Sequence, residues 1–202
     1  MTTYAQVRER VRLLIEGDEI GDSFSTGTLD LLISMGENRV YRNLQSSTMY
    51  VVSSALNATS NVLAIPSAVL QLDKVIIDGN AVEVTDLWRV NAHIDNGDTA
   101  TNTTYCAQRG DNLIFWPAIS NTVNVYLYYY ATPTALATTV NSTYERYPEL
   151  FLYAAVAESA PFIGEDSRIP IWEGKYTLSL NDANRVERWK AYGGSQLRIR
   201  TR

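Results

Sequence analysis

The sequence predicts an α+β fold: a helical bundle formed by an N-terminal helical hairpin and two C-terminal helices, with an inserted small antiparallel β domain and a short C-terminal tail. Three observations predict it. Apolar residues recur at helical spacing towards both ends of the chain, short β-branched and aromatic runs separated by turn residues fill the middle, and the last residues alternate apolar with basic groups. The boundaries follow these changes of texture: residues 1–47 for the hairpin, 48–135 for the β domain, 136–190 for the helices completing the bundle, and 191–202 for the tail.

Thr3 and Gln6 make a capping box for a first helix, on which Tyr4, Val7, Val11 and Leu14 form an apolar stripe. An acidic loop with Asp18, Glu19 and Asp22 separates it from a second helix, from about Ser25 to about Gln45, with Leu29, Leu32, Ile33, Gly36, Val40 and Leu44 on one side. The strands expected next are Val51–Val52, Val62–Ile65, Lys74–Ile77, Ala81–Val84, Thr103–Gln108, Leu113–Trp116 and Thr122–Tyr130. Asp78-Gly79-Asn80 and Arg109 to Asn112 read as turns between paired strands. A short helix is expected over Val84–Asn91 and a polar loop over Asp95–Asn102, with His93 in a loop.

The C-terminal helices are the clearest pattern. Pro148 suits the first turn of a helix that is apolar from Leu150 to Ala157 on nearly every side. So wide an apolar surface exceeds what one hairpin covers, which leaves area for neighbouring subunits. In the helix after it, Ile169, Trp172, Tyr176, Leu180, Ala183, Val186 and Trp189 recur at spacings of three and four. The core of the bundle is therefore expected to contain Leu29, Leu32, Leu150, Tyr153, Trp172, Tyr176 and Trp189.

At 202 residues with a net charge of −5, the composition is that of an ordinary globular protein, and no apolar run is long enough to span a membrane. The charge is unevenly spread. Residues 185–202 hold six basic groups against Glu187 alone, a net of +5, which leaves −10 on the rest. An acidic body of this kind does not attract nucleic acid. A basic tail on it suits a partner protein.

Chemistry finds little to stand on. His93 is the single histidine and Cys106 the single cysteine, and there is no strained serine turn, phosphate-cradling glycine loop or paired-cysteine metal knuckle. Asp95-Asn-Gly-Asp98 reads as a turn, since it lacks the alternating ligands of a calcium loop. The sequence predicts no catalytic, metal or cofactor site. Tyr126, Tyr128 and Tyr130 alternate with Leu127 and Tyr129, which fits a strand covered on both faces or a stacking platform for sugars or bases.

Tyr147 to Ile163, followed at a fixed distance by Trp172-Glu-Gly-Lys-Tyr176 and the long helix to Trp189, resembles the head-to-tail adaptor family of short-tailed bacteriophages. Ala64-Ile-Pro66 with Leu72 to Gly79, and Gly110 to Pro117 running into Tyr128-Tyr129-Tyr130, match in the same order, with a weaker match over Asp30 to Leu44. The resemblance implies a structural virion protein and no enzyme: a ring of about twelve subunits between portal protein and tail nozzle protein. Double-stranded DNA would pass through the lumen without specific binding. The location implied is the virion neck, after assembly in the host cytoplasm, with no membrane contact.

On this resemblance, Tyr192, Gln196, Leu197, Arg198, Ile199, Arg200 and Arg202 are the candidate portal-binding residues. The residues themselves agree. Gly193-Gly194 frees the segment from the helix, and Leu197 and Ile199 alternate with the three arginines in a strand pattern seeking an edge. A basic terminus with no role remains the plain alternative for the tail. For the whole chain, the alternative is a carbohydrate-binding β module on a helical stalk.

Overall fold

The computed structural model describes residues 2–16, 25–58, 60–98, 104–119, 122–159, 162 and 168–192. The chain forms two compact units, Met1–Met49 with Pro133–Arg202 and Tyr50–Thr132.

The first unit is helical. Its described elements are α1 (Tyr4–Glu16), α2 (Thr26–Asn43), α4 (Ser142–Arg146), α5 (Pro148–Ala157) and α6 (Ile169–Tyr192); α3 (Leu87–Asp95) belongs to the other unit. The Thr3/Gln6 capping box closes the start of α1: Thr3 N–H donates to Gln6 Oε1 at 2.9 Å, and Gln6 N–H donates to Thr3 Oγ1 at 3.3 Å. Ser25 caps α2, accepting from the Thr28 N–H, and Asn141 caps α4, accepting from the Tyr144 N–H. Val7, Val11 and Ile15 of α1, Leu29, Leu32, Ile33 and Val40 of α2, and Leu150, Phe151 and Ala154 to Ala157 of α5 are buried. Arg8 on α1 grips Asp30 on α2 with two bonds of 2.8 and 3.0 Å.

The helix α5 is covered within its own chain, by α1, α2, α4 and α6. The surface expected there for neighbouring subunits is therefore taken up internally. One contact sets the spacing of the packing. A Cβ at Gly36 would stand 2.5 Å from the Ala155 nitrogen and 2.9 Å from the Ala154 carbonyl carbon, so α2 and α5 meet backbone to backbone.

The second unit overturns the expected architecture. The chain is α+β, but the strands are no small antiparallel insertion in a helical bundle. They form one large curled sheet with a helix of its own, and the other helices form a separate unit. The strands are β1 (Tyr50–Val52), β2 (Leu56–Ala58), β3 (Val62–Ala64), β4 (Val69–Ile77), β5 (Asn80–Val84), β6 (Tyr105–Arg109), β7 (Asn112–Trp116) and β8 (Val123–Ala131). Their order is β1-β8-β4-β5-β6-β7-β3, with β2 also paired to β8. The long strands β4 and β8 hold the centre, pairing antiparallel from Val69↔Ala131 to Ile77↔Val125 across two bulges.

Asp78 and Gly79 both take positive φ, 46° and 85°, which gives the two-residue turn between β4 and β5 the twist of a hairpin. The next connection breaks the antiparallel pattern. Strands β5 and β6 are parallel, with Glu83 opposite Tyr105 and Val84 opposite Cys106. A parallel pair needs a crossover, and α3 (Leu87–Asp95) supplies it.

Because α3 lies against β6 and β7, both faces of β7 and of the first part of β6 are covered. Cys106, Leu113 and Phe115 join the main sheet core with Val75, Val82, Val125, Leu127 and Tyr129. Ala107, Ile114 and Trp116 face the other way onto Val90 and Leu87 of α3.

Candidate functional site

The tail proposed to meet a partner grows from α6, and α6 has two apolar faces. On the inner one, Tyr176 and Ala183 are buried and Trp172 and Leu180 are half-buried. Arg39 of α2 secures the upper part: it binds Glu173 at 2.7 Å and Glu158 at 3.1 Å, and its guanidinium lies 4.3 Å from the Tyr176 ring centroid. Asn43 donates to the Tyr176 hydroxyl at 3.2 Å.

The lower part is held by a carboxylate. Glu187, 6% exposed, accepts from the Ser47 backbone N–H at 2.7 Å, from the Tyr147 hydroxyl, from Lys190 Nζ at 2.9 Å and from Arg146 at 3.2 Å. Burial by itself pushes such a carboxyl up. Here the hydrogen bonds from Tyr147, Ser47 and Lys190 outweigh it and hold Glu187 at about 2, below its ordinary 4.5. The Tyr147 hydroxyl is pushed well above 10, by burial first and then by Glu187.

Among the described residues, the outer face of α6 is left largely uncovered. Ile171, Leu178, Val186 and Trp189 are 56%, 67%, 39% and 70% exposed, and their spacing places them along one side of the helix. Trp189, expected in the core, is therefore on the surface. The inner stripe runs Trp172, Tyr176, Leu180, Ala183 and then Glu187, four residues after Ala183. Following Val186 and Trp189 instead turns the helix away from its neighbours. Among the other residues assigned to the core, Leu29, Leu32, Leu150 and Tyr176 are buried. Tyr153 and Trp172 are half-buried, with rings stacked at 6.1 Å and Lys175 lying over both. Tyr192 is the last residue of α6. Gln196, Leu197, Arg198, Ile199, Arg200 and Arg202 lie outside the described residues, as does the acidic loop of Asp18, Glu19 and Asp22.

In the second unit β8 alternates cleanly: Val125, Leu127 and Tyr129 point into the core, while Tyr126, Tyr128 and Tyr130 point outwards. Tyr50 packs edge-on to Tyr130 at 5.3 Å and tilted to Tyr128 at 6.4 Å, and Lys74 sits 5.8 Å over Tyr128. Rings packed edge to face do not present the open flat surface on which a sugar stacks, so this geometry gives the carbohydrate reading little support.

His93 belongs to α3 and not to a loop. Its ring stacks on Trp116 at 4.4 Å and lies 5.5 Å from Tyr105, and its Nδ1 is 2.7 Å from Asp98. Spacing alone carried the short helix only to Asn91, because neither His93 nor Asp95 shows a helical pattern without the strand beneath it. Cys106 is fully buried and burial pushes its thiol up to about 12, where no thiolate forms at neutral pH. Among the described residues, no three His, Cys, Asp or Glu side chains are gathered where they could hold a metal ion, and no helix is long and apolar enough to cross a membrane.

The sequence signal missed at this site is Glu187. As the single acid in a basic segment it stood out in the charge count, and its place four residues after Ala183 marked it as inward-facing.

Compared with known proteins, residues 2–200 match a family model described as SU10 adaptor protein. No curated protein matches the chain.

Proposed function

This chain belongs to the SU10 adaptor protein family, a family of phage head-to-tail adaptors, and from that premise we propose that it assembles as a ring between portal and tail nozzle. In this reading the C-terminal residues Gln196–Arg202 dock on the portal, neighbouring subunits meet along the outer side of α6, and DNA passes through the lumen without specific binding. The observation that carries the proposal is the second apolar face of α6. A helix that is already docked, yet leaves Ile171, Leu178 and Trp189 more than half exposed, offers a contact surface that the described residues of its own unit do not fill. The tail follows directly from the end of that helix. The acidic balance of the rest of the chain fits a conduit, because a wall that neutralises few phosphates leaves DNA free to slide.

Deleting Gln196–Arg202 is the test. Co-sedimentation with the portal protein of the same virion is expected to be lost, while far-UV circular dichroism keeps its helical signature, since α6 is held by Arg39 and by the bonds to Glu187. Undiminished co-sedimentation of the truncated chain would remove the tail from its assigned role.

A further inference from the structure

Between α5 and α6 lies an open groove of about 400 Å³. Tyr147, Tyr153, Leu178 and Val186 form its apolar walls, and Glu149 and Asp182 stand exposed at its rim. We propose that in the free subunit this groove holds the chain's own C-terminal segment, Gln196–Arg202. The inference rests on the reading of that segment as an assembly element and adds where it is kept before assembly.

Chemistry and reach both support this occupant. Extended, the segment places Leu197 and Ile199 on one side and Arg198, Arg200 and Arg202 on the other. The apolar pair fits the walls, and the arginines meet the two rim carboxylates. Glu149 has no ion pair among the described residues. Among those residues Asp182 pairs with Arg185 alone, at 2.8 Å, and both side chains are about two-thirds exposed; such a pair is readily exchanged. Lys175, the basic residue of the lining, is turned onto the Tyr153 and Trp172 rings.

Helix α6 ends at Tyr192. At about 1.5 Å per residue, Val186 lies roughly 9 Å and Leu178 roughly 21 Å back along the helix. The ten residues after Tyr192 span about 33 Å when extended, and Gly193-Gly194 permits the reversal. Seated there, the segment covers Leu178 and Val186, so withdrawal of the tail by the portal would bare part of the subunit-facing side of α6. Portal docking and ring closure would then be coupled.

The test uses the full chain without any portal. Cys106 is buried and does not compete. With Ser179→Cys in the groove and Thr201→Cys in the tail, oxidised glutathione as the two-electron acceptor is expected to form a disulfide within one chain. The rate should exceed by about tenfold that of a Thr177→Cys/Thr201→Cys control, because a seated tail has a high local concentration. Thr177 is exposed and lies on the opposite side of α6 from the groove, two residues further from Thr201 in sequence than Ser179. Adding Leu178→Arg, a change at a residue 67% exposed and therefore harmless to the fold, should bring the rate down to the control. Equal rates for the two pairs, or a disulfide joining two chains, would overturn the proposal. Equal rates together with portal binding lost on truncation would dismiss the groove and leave the portal reading standing.

Discussion

Replacing Gly36 by alanine is expected to destabilise the helical unit by about 3 kcal/mol, the upper part of the range for overpacking a tight core. Intrinsic propensity points the other way, since alanine is favoured over glycine within a helix by about 1 kcal/mol. The packing decides. The new Cβ would lie 2.5 Å from the nitrogen and 2.7 Å from the Cα of Ala155. Those are backbone atoms with no rotamer to change, so α2 and α5 have to separate, and the buried contacts of Leu32, Ile33, Leu150 and Phe151 loosen with them. Urea unfolding should show a lower midpoint at an unchanged slope. Gly174 is the control: an added Cβ there meets nothing within 4 Å, and Gly174→Ala in α6 should stabilise by about 1 kcal/mol.

Replacing Glu187 by alanine is expected to cost about 3 kcal/mol. The loss strands the Ser47 N–H and the Tyr147 hydroxyl and leaves Arg146 and Lys190 without their shared acceptor. The figure stays at the low end for a broken buried pair, because Arg146 and Lys190 reach water. The same group sets an acid response. Its folded value of about 2 lies below the ordinary 4.5, so its contribution is fully present above about pH 4.5 and is lost as pH falls towards 2. The thermal midpoint of the native chain should drop across that window, and Glu187→Gln should flatten the drop while lowering the midpoint at neutral pH.

These two positions also mark what could and could not be read from the chain. Helices α2 and α6 were legible because their apolar residues recur at helical spacing, α5 because Pro148 opens a continuous apolar run, and the Thr3/Gln6 capping box signalled the start of α1. The hairpin turn was legible because Asp78-Gly79 tolerates the positive φ that its twist requires. Gly36 reads from sequence as one small residue in a stripe. Its close approach exists only once α5 is laid across it.

The sheet was misjudged for a related reason. Each strand is locally plausible, but which strand neighbours which is decided by contacts distant in sequence. The parallel step from β5 to β6 depends on α3, whose inner residues Leu87 and Val90 only make sense above Ala107, Ile114 and Trp116. At the candidate site, a spacing of three or four residues fits several overlapping lines on one helix. Val186 and Trp189 continue one line and Glu187 another, and a preference for apolar residues chose the exposed one. Burial of Glu187 is favourable only because four donors converge on it from Ser47, Arg146, Tyr147 and Lys190, a convergence spread over most of the chain's length.

The most direct test of the account is electron microscopy of the full chain mixed with the portal protein of the same virion. A closed ring of subunits seated on the portal, with α6 of each subunit against its neighbour and an open lumen on the axis, is the expected result. A portal that remains bare, or that carries isolated subunits whose α6 faces solvent, would contradict it.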